Sequence, residues 1–283
     1  MSLLREQPSD LASRYADAPF SAFAEALDVN WSDELEELHQ ESSRDHFLDV
    51  WTRRAMIEAI AGAVPAGGVV VDAGCSSGYL LEDLEKIYPD ATLVGVDLVA
   101  AGLYRSANNA PGAQLVLGDV CDLPLNDDVA DAVVSANLLE HVPDDVGGLR
   151  EMHRVLKPGG VAAVVIPAGP GTYDYYDKFL GHERRYARHE LANKAKSVGF
   201  DVVRDAYIGS LIYPPFWAVK KLNRIRHGDV APEDMQAMVE QNINRTMNSK
   251  LGVAACNAER AMLRRHVAVP FGIRGFGVFR KAA

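Results

Sequence analysis

The stretch VVVDAGCSSG, residues 69–78, is a β-branched run that ends in a carboxylate and a glycine-punctuated turn. Gly74 and Gly78 let the backbone approach a ligand with no Cβ in the way. Tyr79 to Ile87 follows at helical spacing, so the stretch predicts a strand, a tight turn and a helix in succession. A dinucleotide fingerprint wants glycine at its first, third and sixth positions, which here are Gly74, Ser76 and Tyr79. A phosphate loop wants Lys and then Ser or Thr after its last glycine, where Tyr79 and Leu80 stand. The turn suits neither.

Outward from this stretch, apolar runs recur at Thr92 to Val96, Gln114 to Leu117, Ala132 to Ser135 and Val161 to Ile166. Continuous rather than alternating runs predict strands buried on both faces of a parallel sheet. Helical stretches lie between them, at Val99 to Ala107 and at Val146 to Leu156, and LKPGG (156–160) stops the second. Strand and helix alternating in this way predict a doubly wound α/β sheet. Upstream, a helix is expected over Asp45 to Ala63, with Phe47, Trp51, Ala55, Ala59 and Ile60 inward and Arg53, Arg54 and Glu58 toward solvent. Residues 1–45, with Trp31 and the acidic run Asp33 to Glu37, read as a helical N-terminal extension or lid.

Downstream comes a loop, Ala168 to Ala187, then a helix, Arg188 to Val198, and a strand, Phe200 to Tyr207. The last strand is expected at Gly275 to Arg280. A connection that long is seldom unstructured, and Glu233 to Val239 and Ala254 to Arg265 look helical, so a helical cap inserted before the last strand is expected. The division is then 1–45, a core over 46–209, a cap over 210–270 and the last strand of the core in 271–283.

Composition bounds the partners. The chain has 283 residues, with 39 acidic against 29 basic side chains and a formal net charge of −10. That balance disfavours a nucleic-acid binder, whose affinity comes from clustered Lys and Arg. Cys75, Cys121 and Cys256 are too few and too scattered for a disulfide framework or a zinc site, so no metal is expected and the thiols read as reduced. The N-terminus shows no basic flank followed by an apolar stretch, and Ile208 to Val219 is too short for a membrane span and contains Pro214 and Pro215. The expected compartment is the cytoplasm; homo-oligomerisation stays open.

Three carboxylates are expected at strand ends on one edge of the sheet: Asp72, Asp97 after LVGV, and Asp119 after Gly118. Asp97 can accept both hydrogens of a ribose diol, and Asp119, beside Val120, can accept from an adenine amino group. Asp72 can face an ammonium. Such a rim repels a pyrophosphate and suits an adenosine joined to a cationic sulfur and an amino acid.

These residues carry a resemblance. The segments VVVDAGCSSG (69–78), LVGVD (93–97), GDVCDLPLNDDVADAVVSANLLEHV (118–142) and LREMHRVLKPGG (149–160) resemble, in order and spacing, the class I S-adenosylmethionine-dependent methyltransferases, especially the ubiquinone- and menaquinone-type branch. Ser76 departs from the common middle glycine of that pattern. The resemblance implies a Rossmann-like, seven-stranded, mostly parallel sheet with an antiparallel last strand. It implies S-adenosyl-L-methionine as cofactor, S-adenosyl-L-homocysteine as product, and a small-molecule acceptor. By the same resemblance Gly74, Cys75, Ser76 and Gly78 hold the methionine part, with Asp72 near its amino group. Asp97 takes the ribose, Leu98 flanks the adenine, Asp119 and Val120 read its edge, and Asn137 lies near the methyl group.

Methyl transfer from a sulfonium is an in-line displacement that needs positioning and water exclusion first, and a base only for acceptors that must lose a proton. His182, Glu183 and Tyr186, within GHERRY (181–186), and His141, within LEHV, are the candidate bases, His182 first among them. Alternatively His141 orients its loop, and Glu183, Arg184 and Arg185 form ion pairs that order theirs. Tyr173, Tyr176, Tyr213 and Trp217 are the candidate acceptor contacts, with packing of the cap or a dimer surface as their other uses. Lys220, Lys221, Arg224 and Arg226 read as a solvated helix face or a patch for a lipid surface. The expected activity is methylation of a hydrophobic or aromatic small molecule, such as a secondary metabolite, quinone or lipid precursor. A non-catalytic cofactor-binding module, an RNA or protein methyltransferase and a nicotinamide oxidoreductase are the rivals.

Overall fold

The strand-turn-helix read from residues 69–78 forms as expected in the computed structural model, which describes residues 2–26, 44–226, 249–265, 267 and 269–283. Strand β2, Val69–Ala73, is buried along its whole length and passes through the turn into helix α3, Tyr79–Ile87. Its neighbours are β3, Thr92–Asp97, and β5, Ala130–Ala136, both parallel to it. The remaining strands are β1 (Ser21–Ala22), β4 (Gln114–Leu117), β6 (Leu156–Pro167), β7 (Phe200–Ile208) and β8 (Arg274–Lys281). The sheet order is β1-β4-β3-β2-β5-β6-β8-β7. The chain winds outward from β2 through β3 to β4, then returns to β5 on its other side. A crevice opens where the winding reverses, beyond the carboxyl ends of β2 and β5.

Alternate side chains of β2 go to opposite faces. Val70 joins a core with Trp51, Met56, Leu81 and Leu103, whereas Val71 and Ala73 join one with Leu149, Met152, Leu191 and Phe279. The first layer is built by α2 (Phe47–Ile60), α3 and α4 (Ala100–Asn109), and the second by α5 (Asp145–Val155) and α7 (Glu190–Ser197). β8 runs antiparallel between β6 and β7, and Arg274 pairs with Pro167. The first residue of β8 therefore lies at the crevice end of the sheet.

Three expectations change. The described part of the N-terminal segment holds one six-residue helix, α1 (Ser9–Arg14), and then adds an eighth strand. β1 pairs with the edge strand β4, and the Phe23 N–H donates to the Leu117 carbonyl over 2.8 Å. Pro19 disfavours continuing the helix, and satisfying the exposed edge of β4 while burying Phe20 and Ala22 wins over helix propensity. β6 takes in LKPGG, because Leu156 already pairs with Ala130 before the register shifts. Residues 210–270, expected as a cap, contribute two described helices, α8 (Tyr213–Arg226) and α9 (Lys250–Arg264). Trp31, Asp33 to Glu37 and Glu233 to Val239 lie outside the described residues. Among those described, no helix is long and apolar enough to cross a membrane.

Candidate active site

The turn after β2 is held open by its own backbone. Gly74, Ser76 and Gly78 have φ of 81°, 45° and 78°, the left-handed region that L side chains disfavour. A Cβ on Gly74 would come within 2.9 Å of the Leu138 side chain, so glycine is required there on two counts. Ser76 accepts the strain that glycine avoids, and the Asp97 carboxylate fixes it. Its Oδ2 accepts from the Ser76 N–H over 2.8 Å, and its Oδ1 accepts from the Val99 N–H over 2.9 Å. The carboxylate at the end of β3 thus shapes the turn at the end of β2.

The cavity in front of this turn is lined by Asp72, Gly74, Cys75, Ser76, Gly78 and Asn137, together with Ser77, Tyr79, Leu80 and Ala136. Asn137 adopts a left-handed φ of 51° just past β5. Asp97, Leu98, Asp119 and Val120 do not line the cavity; they continue the rim at the ends of β3 and β4. Asp119 caps a short turn there, with Oδ1 accepting from the Cys121 N–H over 2.8 Å. The three strand-end carboxylates therefore share one edge, as the topology requires, but only Asp72 faces the cavity directly.

Four further lining residues lie outside the sequence expectations: Asp49, Thr52 and Arg53 of α2, and Arg274. Arg274 donates to Thr52 Oγ1 over 2.7 Å and to Asp49 Oδ1 over 2.5 Å, clasping the last strand to α2 across the cavity. Arg53, expected in solvent, is mostly buried and donates to Asp83 Oδ2 over 2.7 Å. The sequence signal is faint: polar residues at i, i+3 and i+4 on one face of an otherwise apolar helix. Arg274 has no local signal at all.

Asp72 is 2% exposed, and burial, then the neighbouring Asp97 charge, push its pKa up to about 8. Between pH 4 and pH 8 the folded protein keeps a proton that the unfolded chain has lost, so this group makes stability fall as pH rises. Asp72→Asn removes the titration. In the absence of ligand the variant should gain on the wild type by about 3 kcal/mol between pH 5 and pH 7. Urea midpoints measured at both pH values check this; a constant difference would show that Asp72 is ionised throughout.

On the far side, the loop after β6 carries α6, Tyr175–Phe179, and GHERRY. Asp177 is its hub. It is fully buried, pairs with Arg185 at 2.6 Å and His182 Nδ1 at 2.9 Å, and lies 3.5 Å from Lys220. Despite burial, these partners hold its carboxyl well below the usual range. His182 therefore donates from Nδ1 and presents Nε2, and burial lowers its pKa so that the ring is neutral near pH 7. The His141 ring meets it edge-on at 4.8 Å between centroids. Glu140, fully buried, hydrogen-bonds through neither carboxylate oxygen, and burial raises its pKa to about 8.

Several candidates stand elsewhere. Tyr186 is buried in the opposite layer, where its hydroxyl donates to Asp145 Oδ2 over 2.8 Å. Burial and that bond raise its pKa. Arg184 also pairs with Asp145, at 3.1 Å. Trp217 points outward, 44% exposed, with the Lys221 ammonium 5.0 Å above its ring. Tyr213 packs on Phe216 and Phe271, and the Tyr173 hydroxyl donates to the His182 carbonyl over 2.7 Å. The Tyr176 ring lies 4.9 Å from the Lys220 ammonium and is not among the residues lining the cavity. Lys220 belongs to no solvated or lipid-facing patch: it is buried, 2.5 Å from Asp174.

Comparison with known proteins fits this geometry. Residues 71–164 match a family model described as a methyltransferase domain. The chain is 33% identical over 141 residues to a demethylmenaquinone methyltransferase of Staphylococcus carnosus, covering 46% of this chain and 57% of that one. It is 38% identical over 130 residues to a malonyl-[acyl-carrier protein] O-methyltransferase of Dechloromonas aromatica, covering 44% and 45%. The chain spans about half the length of the curated relatives it matches. Among solved structures, phosphoethanolamine N-methyltransferase 2 of Haemonchus contortus, in complex with S-adenosyl-L-methionine, is similar with a TM-score of 0.60 and 15% identity, over 90% of this chain and 59% of that one. That is a likeness of fold. The likeness to methyltransferases thus rests on the match of residues 71–164 and on the fold.

Proposed function

We propose that the protein transfers a methyl group from S-adenosyl-L-methionine to a hydrophobic or aromatic small molecule, such as a secondary metabolite, quinone or lipid precursor. The observation that supports it best is the rim: a glycine turn with a left-handed backbone, flanked by carboxylates at three adjacent strand ends. Asp97 is the acceptor for the ribose hydroxyls, because both of its oxygens are already fixed by backbone amides and need no reorganisation. Asp119 reads the adenine amino group beside Val120, with Leu98 against the ring. Asp72, buried at the cavity floor, faces the methionine ammonium, and Arg274 faces its carboxylate. Gly74, Cys75, Ser76 and Gly78 give backbone contact, and Asn137 stands near the reacting carbon.

When bound, the donor supplies a sulfonium methyl, which bonds to an acceptor lone pair as the C–S bond breaks with its electrons on sulfur, leaving S-adenosyl-L-homocysteine. His182 takes any acceptor proton at Nε2, held in that tautomer by Asp177. Tyr176 and Tyr173 border the acceptor and Tyr213 supports them from α8. The described parts of 210–270, α8 and α9, belong to a cap on a core within 46–209 and 271–283, and residues 2–26 belong to the N-terminal extension. Free thiols at Cys75, Cys121 and Cys256 favour a reducing, cytoplasmic setting.

The experiment is incubation with methyl-labelled donor and a panel of phenols, quinols and lipid precursors. Label is expected in an organic-soluble product together with S-adenosyl-L-homocysteine. Calorimetric binding of NAD with none of the homocysteine product would refute the proposal.

A further inference from the structure

Among the described residues Glu140, His141 and His182 each offer a ligand atom, and the three atoms lie within 4.8 Å of one another. Two residues come from the segment just past β5 and one from the loop after β6, which docks there as the Glu183 N–H donates to the Glu140 carbonyl over 2.8 Å. The two segments are 42 residues apart in sequence, so the cluster exists only in the fold.

We propose that these three side chains form a binding site for a divalent metal ion of the zinc class. Two imidazoles and one carboxylate are a donor set for zinc and its first-row neighbours rather than for magnesium or calcium. An independent observation points the same way: Glu140 is wholly buried, and neither of its oxygens has a hydrogen-bond partner. An ionised carboxylate there is costly unless a cation joins it. The surrounding charges do not cancel it. Asp174 and Asp177 are matched by Lys220 and Arg185, and Arg274 is matched by Asp49.

The shell behind the ligands is also built. His182 uses Nδ1 on Asp177, which aims Nε2 at the cluster, and Asp177 is itself pinned by Arg185. A carboxylate behind a histidine is the arrangement that fixes tautomer and ring direction at metal sites. Bonds of about 2.0–2.1 Å to a tetrahedral ion need donor separations of about 3.3 Å, so the three atoms, within 4.8 Å of one another, close by up to about 1.5 Å on binding. Three protein ligands leave a fourth position open. In the methyl transfer proposed above, on which this role alone rests, an acceptor hydroxyl occupies that position. With its Nε2 on the metal His182 no longer acts as the base, so the hydroxyl loses its proton to solvent and attacks the methyl carbon as the metal-held oxyanion.

The test uses untagged, chelator-stripped full-length protein titrated with Zn2+ against a chromophoric chelator, and with Co2+ for its visible absorption. One equivalent is expected, with Co2+ bands of a low-symmetry site. Glu140→Gln, which keeps volume and removes only charge, should weaken Zn2+ binding at least 100-fold, as should His141→Ala. Asp177→Asn should weaken it 10- to 100-fold. Absence of stoichiometric uptake, or uptake unchanged in folded Glu140→Gln, overturns the site. Binding of S-adenosyl-L-homocysteine to the metal-free protein is measured in parallel. Zn2+ uptake without it keeps the metal site and refutes methyl transfer; the converse refutes the site and keeps methyl transfer.

Discussion

Asp97→Ala is expected to weaken S-adenosyl-L-homocysteine binding by about a thousandfold, measured by calorimetry at neutral pH. Two charge-assisted hydrogen bonds to a ribose diol contribute about 1.5–3 kcal/mol each, and every 1.4 kcal/mol is tenfold in affinity. The same carboxylate also holds the Ser76 and Val99 amides. Its removal therefore frees a turn that Ser76 occupies at a positive φ, and part of the loss is turn disorder rather than lost contact. Asp97→Asn separates the two effects, because it keeps one acceptor oxygen and lacks the charge. Its loss should be nearer thirtyfold. A change of less than fivefold in Asp97→Ala would mean that the end of β3 does not hold the ribose.

Glu259→Ala is expected to cost about 5 kcal/mol of stability and roughly 10 °C in melting temperature. Glu259, on α9, is 2% exposed. It accepts from Trp51 Nε1 over 2.9 Å, from the Gly209 N–H over 2.9 Å and from the Ser210 N–H over 2.7 Å. Alanine leaves three buried donors without an acceptor, and each such orphan costs about 1–3 kcal/mol. Glu259→Gln keeps one oxygen and should lose less than half as much. Denaturant midpoints of the two variants decide it; a loss under 1 kcal/mol for alanine would show that water replaces the carboxylate and that α9 is not integral to the core.

These two residues mark what the sequence discloses and what it hides. Asp97 is legible because a β-branched run must end somewhere, and in a parallel sheet all such ends fall on one edge. The same rule exposes Asp72, Asp119 and the doubly wound order of the strands. Glu259 and Arg274 are not legible. Their partners are 208 and 225 residues away, and nothing in local spacing foretells a meeting that only the finished sheet arranges. Lys220 misleads for a related reason. A run of basic residues on a helix reads as solvated, yet Asp174 and Asp177, on a different loop, draw it into the interior. Tyr186 shows the limit within a motif: it lies one residue from Arg185, and the backbone turn sends the two side chains to opposite layers.

β8 fits into a slot between two strands made earlier. Until its first residue arrives, β6 and β7 have no bridge between them, and the clasp from Arg274 to Asp49 is missing. A ribosome-borne chain can thus assemble most of its hydrophobic layers and still lack a finished cavity. Competence waits for β8, whose first residue locks α2 to the last made of the eight strands.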